Sequence, residues 1–474
     1  MSAAAALVAA VTLAGCGTTT YFDGRVLPPS GLLNRVLIAV QNPSAFTKGA
    51  LSFVDAYYDI RGSYKGTPTS FSISGYAGAL PVTIQNMPEE QVGAVYGSGD
   101  GSFTYINYQK EATAGSASGL SASSSIFVTR NQQYVFAASQ AAHQLTIVDK
   151  SGTNPGTYTL GLPGIYRVSV NPGGTAALAF VQNSNSVYYP IKLSAQQTQA
   201  YSSGPNSWPL GAVDCEPLNL PGWCLMQALD PSSTSANKIP LTFDRPVKAI
   251  FSSDGGTAYV LNCGPECGGS SASVSILPVA PMIYLPNQAS GLLPKAGAVT
   301  TIAVPGGASN ALLTGSTLYV VGQQPQQVQG QTLFGGNLTV VNLANNSAGA
   351  PMPISDGQPG AMSRMILADD NTLWIGMMQC TNGVRYNTGQ PYGCLTMVNT
   401  STNTVKLLES YLGDLTGETA ITGLHKIYVA QGGQVYIYST VDGSSIDNQY
   451  VTVTGTAYDV AYMDAASDSD NTVY

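Results

Sequence analysis

Stretches of alternating apolar and polar residues return along most of the chain, each after a tight glycine-containing turn. In Ile250–Asn262, an apolar strand leads into an Asp-Gly-Gly turn and then into an alternating strand that ends in an amide. Val168–Phe180 repeats this order around Asn-Pro-Gly-Gly. Alternation with a period of two between turn residues is typical of antiparallel strands. Because one such unit cannot bury its own apolar face, the copies must pack on one another, and the pattern predicts an all-β repeat fold.

The copies align on their second strand, which is followed by a third strand of the form apolar-x-apolar-x-Asp/Asn. The aligned segments are Val36–Val40, Val92–Tyr96, Tyr134–Ala138, Ala177–Val181, Tyr259–Asn262, Tyr319–Gly322, Leu373–Gly376 and Ile427–Ala430. Four antiparallel strands in roughly 40 residues form the blade of a β-propeller. We therefore predict a single propeller of about eight four-stranded blades. Seven blades is the alternative, because the first two copies match the repeat poorly and one of them would then be an insertion.

The best copies resemble a known propeller repeat, the YVTN type. That repeat has a strand, a Pro-Asp-Gly turn, a Tyr-Val-x-Asn strand and a Val-x-Val-Ile-Asp strand; Tyr259–Asn262 and Leu145–Asp149 are the corresponding segments here. The resemblance covers most of the chain from residue 35 onward. It implies the fold and leaves the activity open, because propellers serve as lactonases, dehydrogenases and binding modules alike.

The first and last copies predict how the ring closes. No inner strand precedes Val36–Val40, whereas Tyr458–Met463 at the far end has the pattern of inner strands such as Lys248–Phe251. We expect the C-terminal segment to supply the inner strand of the first blade, which removes two exposed sheet edges.

The N-terminus carries a short apolar run that ends in Leu13-Ala14-Gly15-Cys16. The run is too short to span a bilayer and lies where a secretory signal belongs. It resembles the lipobox of bacterial lipoproteins, in which the cysteine is diacylated and becomes the mature N-terminus. This implies a signal peptide over residues 1–16, lipidation of Cys16, a tether over 17–34 and the propeller over 35–474. Gly17 favours the outer membrane; a plain export signal, giving a periplasmic or surface protein, is the alternative.

Six further cysteines fall into three close pairs: Cys215–Cys224, Cys263–Cys267 and Cys380–Cys394. Disulfides persist in oxidising compartments, so the pairs agree with export and are predicted to be bridged. The alternative is a zinc site at Cys263 and Cys267, but a structural zinc needs a second pair of matching spacing, and neither other pair provides it. We predict no bound metal.

Composition excludes several functions. Charged residues make up 9% of the chain, against roughly 25% in an average globular protein, and the net charge is −8 without any basic cluster, so nucleic acid is not a predicted partner. The chain has two histidines, His143 and His425, which we interpret as turn residues. No nucleophile elbow and no C-x-x-C-H motif is present, so we predict no catalytic residues and no cofactor.

Long connections after the second strand occur in three neighbouring blades: Cys263–Ser271, Gln323–Gly336 and Cys380–Cys394. Such connections all emerge on one face of a propeller, and ordered loops on a rigid scaffold commonly bind ligands. The candidate binding residues are Gln327, Gln331, Phe334, Arg385, Tyr386 and Tyr392. The alternative is that these loops are decorations without a function.

Two other segments interrupt the repeat. Ala195–Asn237, with Trp208, Trp223 and one cysteine pair, is predicted to be an insertion between the third and fourth strands of blade four, protruding from the opposite face as a docking knob or a cap. Asp464–Asn471 is rich in carboxylates but lacks the glycine and terminal glutamate of an EF-hand, and we interpret it as a solvated acidic tail.

Taken together, the sequence favours a non-catalytic binding or scaffold propeller for a protein or carbohydrate partner, held to the membrane of the bacterial cell envelope only through its lipid. The alternative is a lactonase-like enzyme acting on a small sugar-derived substrate. That alternative needs arginine, glutamate or aspartate to converge at the channel, and the inner strands are mostly apolar or rich in Ser and Thr.

Overall fold

The computed structural model describes residues 26–61, 71–120, 122–151, 155–192, 213–214, 223–228, 243–279, 299–328, 330–355, 361–380, 394–408, 412–446 and 451–466. In chain order the strands are β1 Arg35–Gln41, β2 Gly49–Asp55, β3 Pro81–Met87, β4 Val92–Gly97, β5 Ser102–Asn107, β6 Ala112–Ala117, β7 Ser125–Val128, β8 Tyr134–Ser139, β9 Gln144–Asp149, β10 Gly156–Gly161, β11 Ile165–Val170, β12 Ala177–Val181, β13 Val187–Lys192, β14 Val213–Asp214, β15 Trp223–Ala228, β16 Pro246–Phe251, β17 Thr257–Asn262, β18 Ser273–Pro278, β19 Thr300–Ala303, β20 Asn310–Thr314, β21 Thr317–Val328, β22 Gln331–Asn342, β23 Ser347–Ala348, β24 Met352–Pro353, β25 Ala361–Leu367, β26 Thr372–Met378, β27 Leu395–Asn399, β28 Thr404–Leu407, β29 Leu415–Ile421, β30 Lys426–Gln431, β31 Gln434–Ser439 and β32 Thr456–Tyr462.

These strands form eight antiparallel sheets, and the prediction of eight blades is confirmed. Blade 1 is β32-β1-β2, blade 2 is β3 to β6, blade 3 is β7 to β10, and blade 4 is β11-β12-β13-β15-β14. Blade 5 is β16 to β19, blade 6 is β20 to β23 with β24 beside β22, blade 7 is β25 to β28, and blade 8 is β29 to β31. The first strand of each blade lies innermost and contacts the first strand of the next.

The ring closes through the C-terminal strand, as predicted. β32 pairs with β1 in antiparallel register, with Val36 opposite Tyr462 and Ala39 opposite Asp459. Because this strand comes from the opposite end of the chain, blade 1 cannot form until the last residues of the propeller have been placed. The hydrogen bonds of that one sheet therefore join the two ends of the propeller.

Polar side chains link every inner strand to the next one around the ring. An inner strand is the edge of its sheet, so one row of its N–H and C=O groups lacks a partner strand. Side chains from the neighbouring inner strand supply partners at every junction, and all but one of the bonds reach the backbone. In order around the ring they join Asp459 to Ile84 N, Gln85 to Val128 N, Ser125 to Val168 N, Ser169 to Ala249 N, Lys248 to Asn310, Asn310 to Met362 O, Arg364 to Thr416 O, and Thr419 to Tyr462 N. The centre of the propeller is thus held by a continuous polar belt.

Apolar side chains fill the space between neighbouring blades. Trp223 from blade 4 is 1% exposed, and its ring centroid lies 5.4 Å from those of Tyr134 and Phe136 in blade 3. Edge-to-face contacts of this kind are favourable arrangements of aromatic rings. Trp223 therefore acts as a packing residue between two blades.

The segment predicted as an insertion in blade 4 contributes strands to the sheet. β15 pairs with β13 over six residues and occupies the position of the fourth strand, and β14 adds a fifth strand beyond it. This part of Ala195–Asn237 therefore belongs to the blade itself. Trp208 and Cys215 lie outside the described residues. No helix in the described part of the chain is long and apolar enough to cross a membrane.

A buried ion cluster secures the junction between the two ends. The guanidinium of Arg35 donates through Nε and Nη2 to the Asp464 carboxylate at 3.0 and 2.6 Å, and through Nη1 to Glu111 at 2.8 Å. Arg35 is 1% exposed, Asp464 is 0% exposed and Glu111 is 7% exposed, so all three side chains lie in the interior. The interpretation of Asp464 as part of a solvated tail is therefore wrong, since it is the buried partner of Arg35. Asp468, Asp470 and Asn471 lie outside the described residues.

Candidate functional site

Five charged side chains project from inner strands near the axis of the ring. They come from blades 4, 5, 7, 8 and 1, and each is the third or fourth residue of its strand: Arg167 in β11, Lys248 in β16, Arg364 in β25, Glu418 in β29 and Asp459 in β32. We call this set the channel cluster. In a protein with so few charged residues, this concentration of charge around the axis is the main chemical feature of the described structure.

Arg364 and Asp459 form the ion pair of the cluster. Nη2 of Arg364 lies 3.2 Å from Oδ2 of Asp459, and Nε donates to the carbonyl of Thr416 at 3.0 Å. A Cβ atom on Gly417 would lie 2.3 Å from Oδ1 of Asp459 and 2.7 Å from its Cα atom. A glycine is therefore required at this position, because β29 approaches the Asp459 backbone too closely for any side chain.

Glu418 is buried beside this pair and remains unpaired. It is 2% exposed, and neither of its carboxyl oxygens has a hydrogen-bond partner among the described residues. Burial raises the pKa of Glu418 well above its ordinary value, Arg364 opposes this shift, and the negative charge of Asp459 adds to it. Since burial without hydrogen bonds disfavours a carboxylate, the site favours the neutral form of Glu418.

Lys248 and Arg167 bring further positive charge to the channel. Nζ of Lys248 donates to Oδ1 of Asn310 at 2.7 Å, and Nη1 of Arg167 donates to the carbonyl of Val247 at 3.4 Å. Burial lowers the pKa of Lys248 to about 7, and repulsion from Arg167 and Arg364 contributes to the decrease. A lysine in this state exchanges its proton near neutral pH, as general acids and bases do.

The connections of blades 5 and 6 meet on the face above this cluster. Glu266, in a 3₁₀ turn over Gly264–Cys267, accepts hydrogen bonds from the backbone N–H of Gln323 at 2.9 Å and from its side-chain amide at 3.1 Å. Burial raises the pKa of Glu266 to about 7, although hydrogen bonds from Gln323 and Ser309 oppose the shift. Ser309 directly precedes β20, whose first residue, Asn310, binds Lys248. The long connections therefore stand at the mouth of the channel.

The connection in blade 6 is a β-hairpin, whereas the sequence analysis treats it as a loop. β21 and β22 stay paired from Gln323 opposite Gly336 out to Val328 opposite Gln331. Gln327 and Gln331 are exposed near its tip, and Phe334 is half-buried opposite Pro325. The structure thus gives this candidate surface a regular backbone. Arg385, Tyr386 and Tyr392 lie outside the described residues, so their role stays a prediction.

Two of the three predicted disulfides are confirmed. Cys263–Cys267 closes the 3₁₀ turn that presents Glu266, and Cys380–Cys394 joins the end of β26 to the residue before β27. Cys394 and Cys380 are both buried. Cys215 of the third pair, Cys215–Cys224, and the proposed lipidation site Cys16 lie outside the described residues, so that pairing and the lipidation stay predictions.

The two histidines occupy turns, in agreement with their interpretation from the sequence. His143 and His425 have φ angles of 52° and 53°, which place both in the left-handed region used by turn residues. Nδ1 of His425 lies 2.8 Å from the Asp370 carboxylate, and this hydrogen bond is the main reason why its pKa is raised. Neither histidine is a member of the channel cluster.

None of the residues of the channel cluster is among the site residues predicted from the sequence, although the sequence carries one signal for them. The inner strands are described there as mostly apolar or rich in Ser and Thr, yet a charged residue stands at the third or fourth position of five of them. Aligning the inner strands at that position, in place of the second strands, would reveal the cluster from the sequence alone.

No protein-family model matches this sequence, and no curated protein sequence matches it. Solved structures do resemble the fold. Dihydro-heme d1 dehydrogenase NirN, in complex with DHE, matches with a TM-score of 0.50 and 10% identity, over 93% of this chain and 79% of its own.

Two further structures match less closely. Hydrazine synthase of Kuenenia stuttgartiensis has a TM-score of 0.45 and 14% identity, over 81% of this chain and 100% of its own. The periplasmic gluconolactonase PpgL of Pseudomonas aeruginosa has a TM-score of 0.41 and 14% identity, over 90% and 98%. At such identities the likeness concerns the fold alone, and the activity must be argued from the site.

Proposed function

We propose that the protein is a non-catalytic binding propeller of the bacterial cell envelope, anchored by a lipid on Cys16 and related to YVTN-type repeat proteins. Its ligand, a carbohydrate or a protein, is recognised on the face that carries the hairpin β21–β22 and the two disulfide-closed connections. The observation that carries this proposal is the contact of Glu266 with Gln323, because it fixes two of these connections to each other above the channel. Rigid, preorganised loops bind with a smaller loss of entropy than mobile ones.

The hairpin should contribute directly to binding. Replacing Phe334 and Gln327 with alanine is expected to weaken binding to the ligand found on a glycan array by roughly tenfold or more, since a buried aromatic contact and a hydrogen bond are lost. The matched control is Tyr57→Ala, which removes a 62% exposed aromatic side chain after the third strand of blade 1, on the opposite face. Equal binding by both variants would place the ligand away from the hairpin.

The lipid anchor has its own test. In cells fed a clickable palmitate analogue, the wild-type protein is expected to be labelled and to sediment with membranes, whereas Cys16→Ser is expected to be unlabelled and released into the soluble fraction. A single acyl chain holds a protein only weakly, so a diacylated cysteine is needed for stable sedimentation. A wild-type protein that is unlabelled and soluble would exclude the anchor and leave plain export.

A lactonase-like activity is the second candidate, and one observation favours it. Lys248, with a pKa of about 7, and Glu418, whose pKa is raised by burial, both lie in the channel cluster with Arg364. A proton acceptor and a proton donor near an arginine are the groups that lactone hydrolysis requires. Turnover of glucono-1,5-lactone above the uncatalysed rate, abolished in Lys248→Gln but retained in Arg130→Gln, would replace the binding proposal with this one.

A further inference from the structure

We infer that the channel cluster is a binding site for one small carboxylate, held by Arg167, Lys248 and Arg364. This inference deepens the proposed function, on which it rests, because it gives the chemical class of the ligand at the mouth of the channel. It concerns the axis of the ring, whereas the hairpin β21–β22 and the 3₁₀ turn Gly264–Cys267 stand at the rim.

The cationic side chains of the channel cluster outnumber its ionised carboxylates. Three cationic side chains converge from blades 4, 5 and 7, and Arg167 and Arg364 are close enough to Lys248 to repel its positive charge. Asp459 is the carboxylate paired with Arg364, at 3.2 Å. Burial raises its pKa, but Arg364 and the backbone N–H groups of Ile84 and Val460 oppose the shift and favour its ionised form. Arg167 has no carboxylate within salt-bridge distance in the described part of the chain. The cluster therefore carries an excess of about one to two positive charges near neutral pH.

The buried carboxyl group of Glu418 is an independent observation that does not depend on the cations. This residue is 2% exposed, and its two oxygens have no partner among the residues that the structure describes. An ionised glutamate at this position would cancel the excess positive charge by pairing with Arg364. Its burial away from hydrogen-bond donors disfavours that ionised form, so the positive charge is left to a ligand.

The size and charge of the ligand follow from these two observations. A single negative charge matches the lower end of this excess, and Asp459 disfavours a second negative charge by repulsion. Guanidinium groups bind planar carboxylates through paired N–H donors, and the strength of such bonds increases where water is excluded. A small organic acid or a sugar acid fits this description.

Isothermal titration at low ionic strength tests the inference with four probes: D-gluconate, acetate, inorganic phosphate and, as the uncharged control, D-glucose. We expect gluconate and acetate to bind, glucose not to bind, and phosphate to bind more weakly than gluconate. Added salt should weaken binding, although less than at an exposed site. Failure of both carboxylates to bind, or tighter binding of phosphate, would overturn the assignment to carboxylates.

Substitutions then locate the site. Arg167→Gln and Lys248→Gln should each weaken gluconate binding roughly ten- to hundredfold, the value of a hydrogen bond to a charged group. Arg364→Gln should do the same, but it also breaks the pair with Asp459. Arg167 gives the cleaner variant, because its contacts within the described part of the chain are a 3.4 Å hydrogen bond to the Val247 carbonyl and the ring of Tyr166. Arg130→Gln is the matched control, since Arg130 is 48% exposed and pairs with Glu89 at the surface. Unchanged binding in both Arg167→Gln and Lys248→Gln would exclude the channel as the site.

Glu418→Gln distinguishes this site from a general electrostatic effect. Because burial favours the neutral form of Glu418, the Glu418→Gln variant should bind gluconate within about twofold of the wild type. An ionised Glu418 would make that variant bind about tenfold tighter or more. If the wild-type protein binds gluconate but recognises no ligand on the glycan array, the proposed function alone is refuted. If the wild-type protein recognises a ligand on the array but does not bind gluconate, the carboxylate site alone is refuted.

Discussion

Replacing Asp464 with alanine is expected to lower the free energy of unfolding by about 3–5 kcal/mol, the usual cost of leaving one partner of a buried ion pair uncompensated. Asp464 accepts the backbone N–H of Arg35 at 2.8 Å as well as two guanidinium bonds, so three hydrogen bonds disappear at once. These bonds join β1 to the residues that follow β32, where the ring closes. Since folded domains are stable by only about 5–15 kcal/mol, the loss is a large fraction of the total.

Urea unfolding followed by tryptophan and tyrosine fluorescence measures this effect. The matched control is Asp442→Ala, which removes an exposed turn carboxylate that accepts hydrogen bonds from Ser444 and should shift the transition much less. Glu111 still binds Arg35 in the Asp464 variant, so the folded state persists at low urea. If the two alanine variants unfold at the same urea concentration, the cluster around Arg35 does not hold the ring closed.

The scaffold follows from local features of the sequence, and for that reason it is predictable. Alternation with a period of two and glycine turns define each blade, and a one-residue shift of register would turn every buried side chain to the wrong face. The closing strand is recognisable because Tyr458–Met463 carries the same pattern as the inner strands of the other blades. These signals extend over only a few residues, so a single sequence contains them in full.

The channel cluster depends on contacts between distant parts of the chain. Arg364 and Asp459 meet only after the ring has closed, and Arg35 and Asp464 are separated by 429 positions in the sequence. A charge within a strand ordinarily indicates a solvent-facing position, and only the closed ring turns that position into a buried one. This is also why Asp464 resembles part of a solvated tail when it is considered without Arg35.

The hairpin of blade 6 shows a different reason for error. Glutamine, glycine and proline are poor strand formers, so Gln323–Gly336 has the composition of a loop. In the structure, glycines allow unusually close packing there: a Cβ atom on Gly322 would lie 2.2 Å from the carbonyl carbon of Gly307. Tertiary packing thus outweighs the intrinsic preference of the residues, and the candidate surface is more regular than its composition suggests.

Glu418→Gln is expected to make the protein progressively more stable than the wild type as the pH rises above 4.5, the ordinary pKa of glutamate. The pKa of Glu418 is raised in the folded state, chiefly by burial, so the folded protein retains a proton that the unfolded chain releases. The stability that this proton provides is complete below the unfolded pKa and is lost as the pH rises toward the folded pKa, by about 1.4 kcal/mol per pH unit. Glutamine does not titrate, so the difference between the two unfolding free energies should grow with that slope.

At any one pH, the difference in unfolding free energy between the two proteins also includes the cost of burying an amide, about 1–3 kcal/mol if its groups remain unpaired. The quantity to compare is therefore the slope of the unfolding free energy against pH. Asp459 and Arg364 face Glu418 and are present in both proteins, so their own titration largely cancels in the difference. Glu89→Gln, a substitution of the same kind at a side chain that is 41% exposed and pairs with Arg130, should not become more stable relative to the wild type as the pH rises, because an ion pair favours the ionised carboxylate. Urea unfolding at a series of pH values provides all three curves. A Glu418→Gln curve parallel to the wild type would mean that Glu418 is ionised in the folded protein. The channel cluster would then hold two carboxylates against its three cations, and the excess of positive charge that attracts a carboxylate ligand would fall by about one.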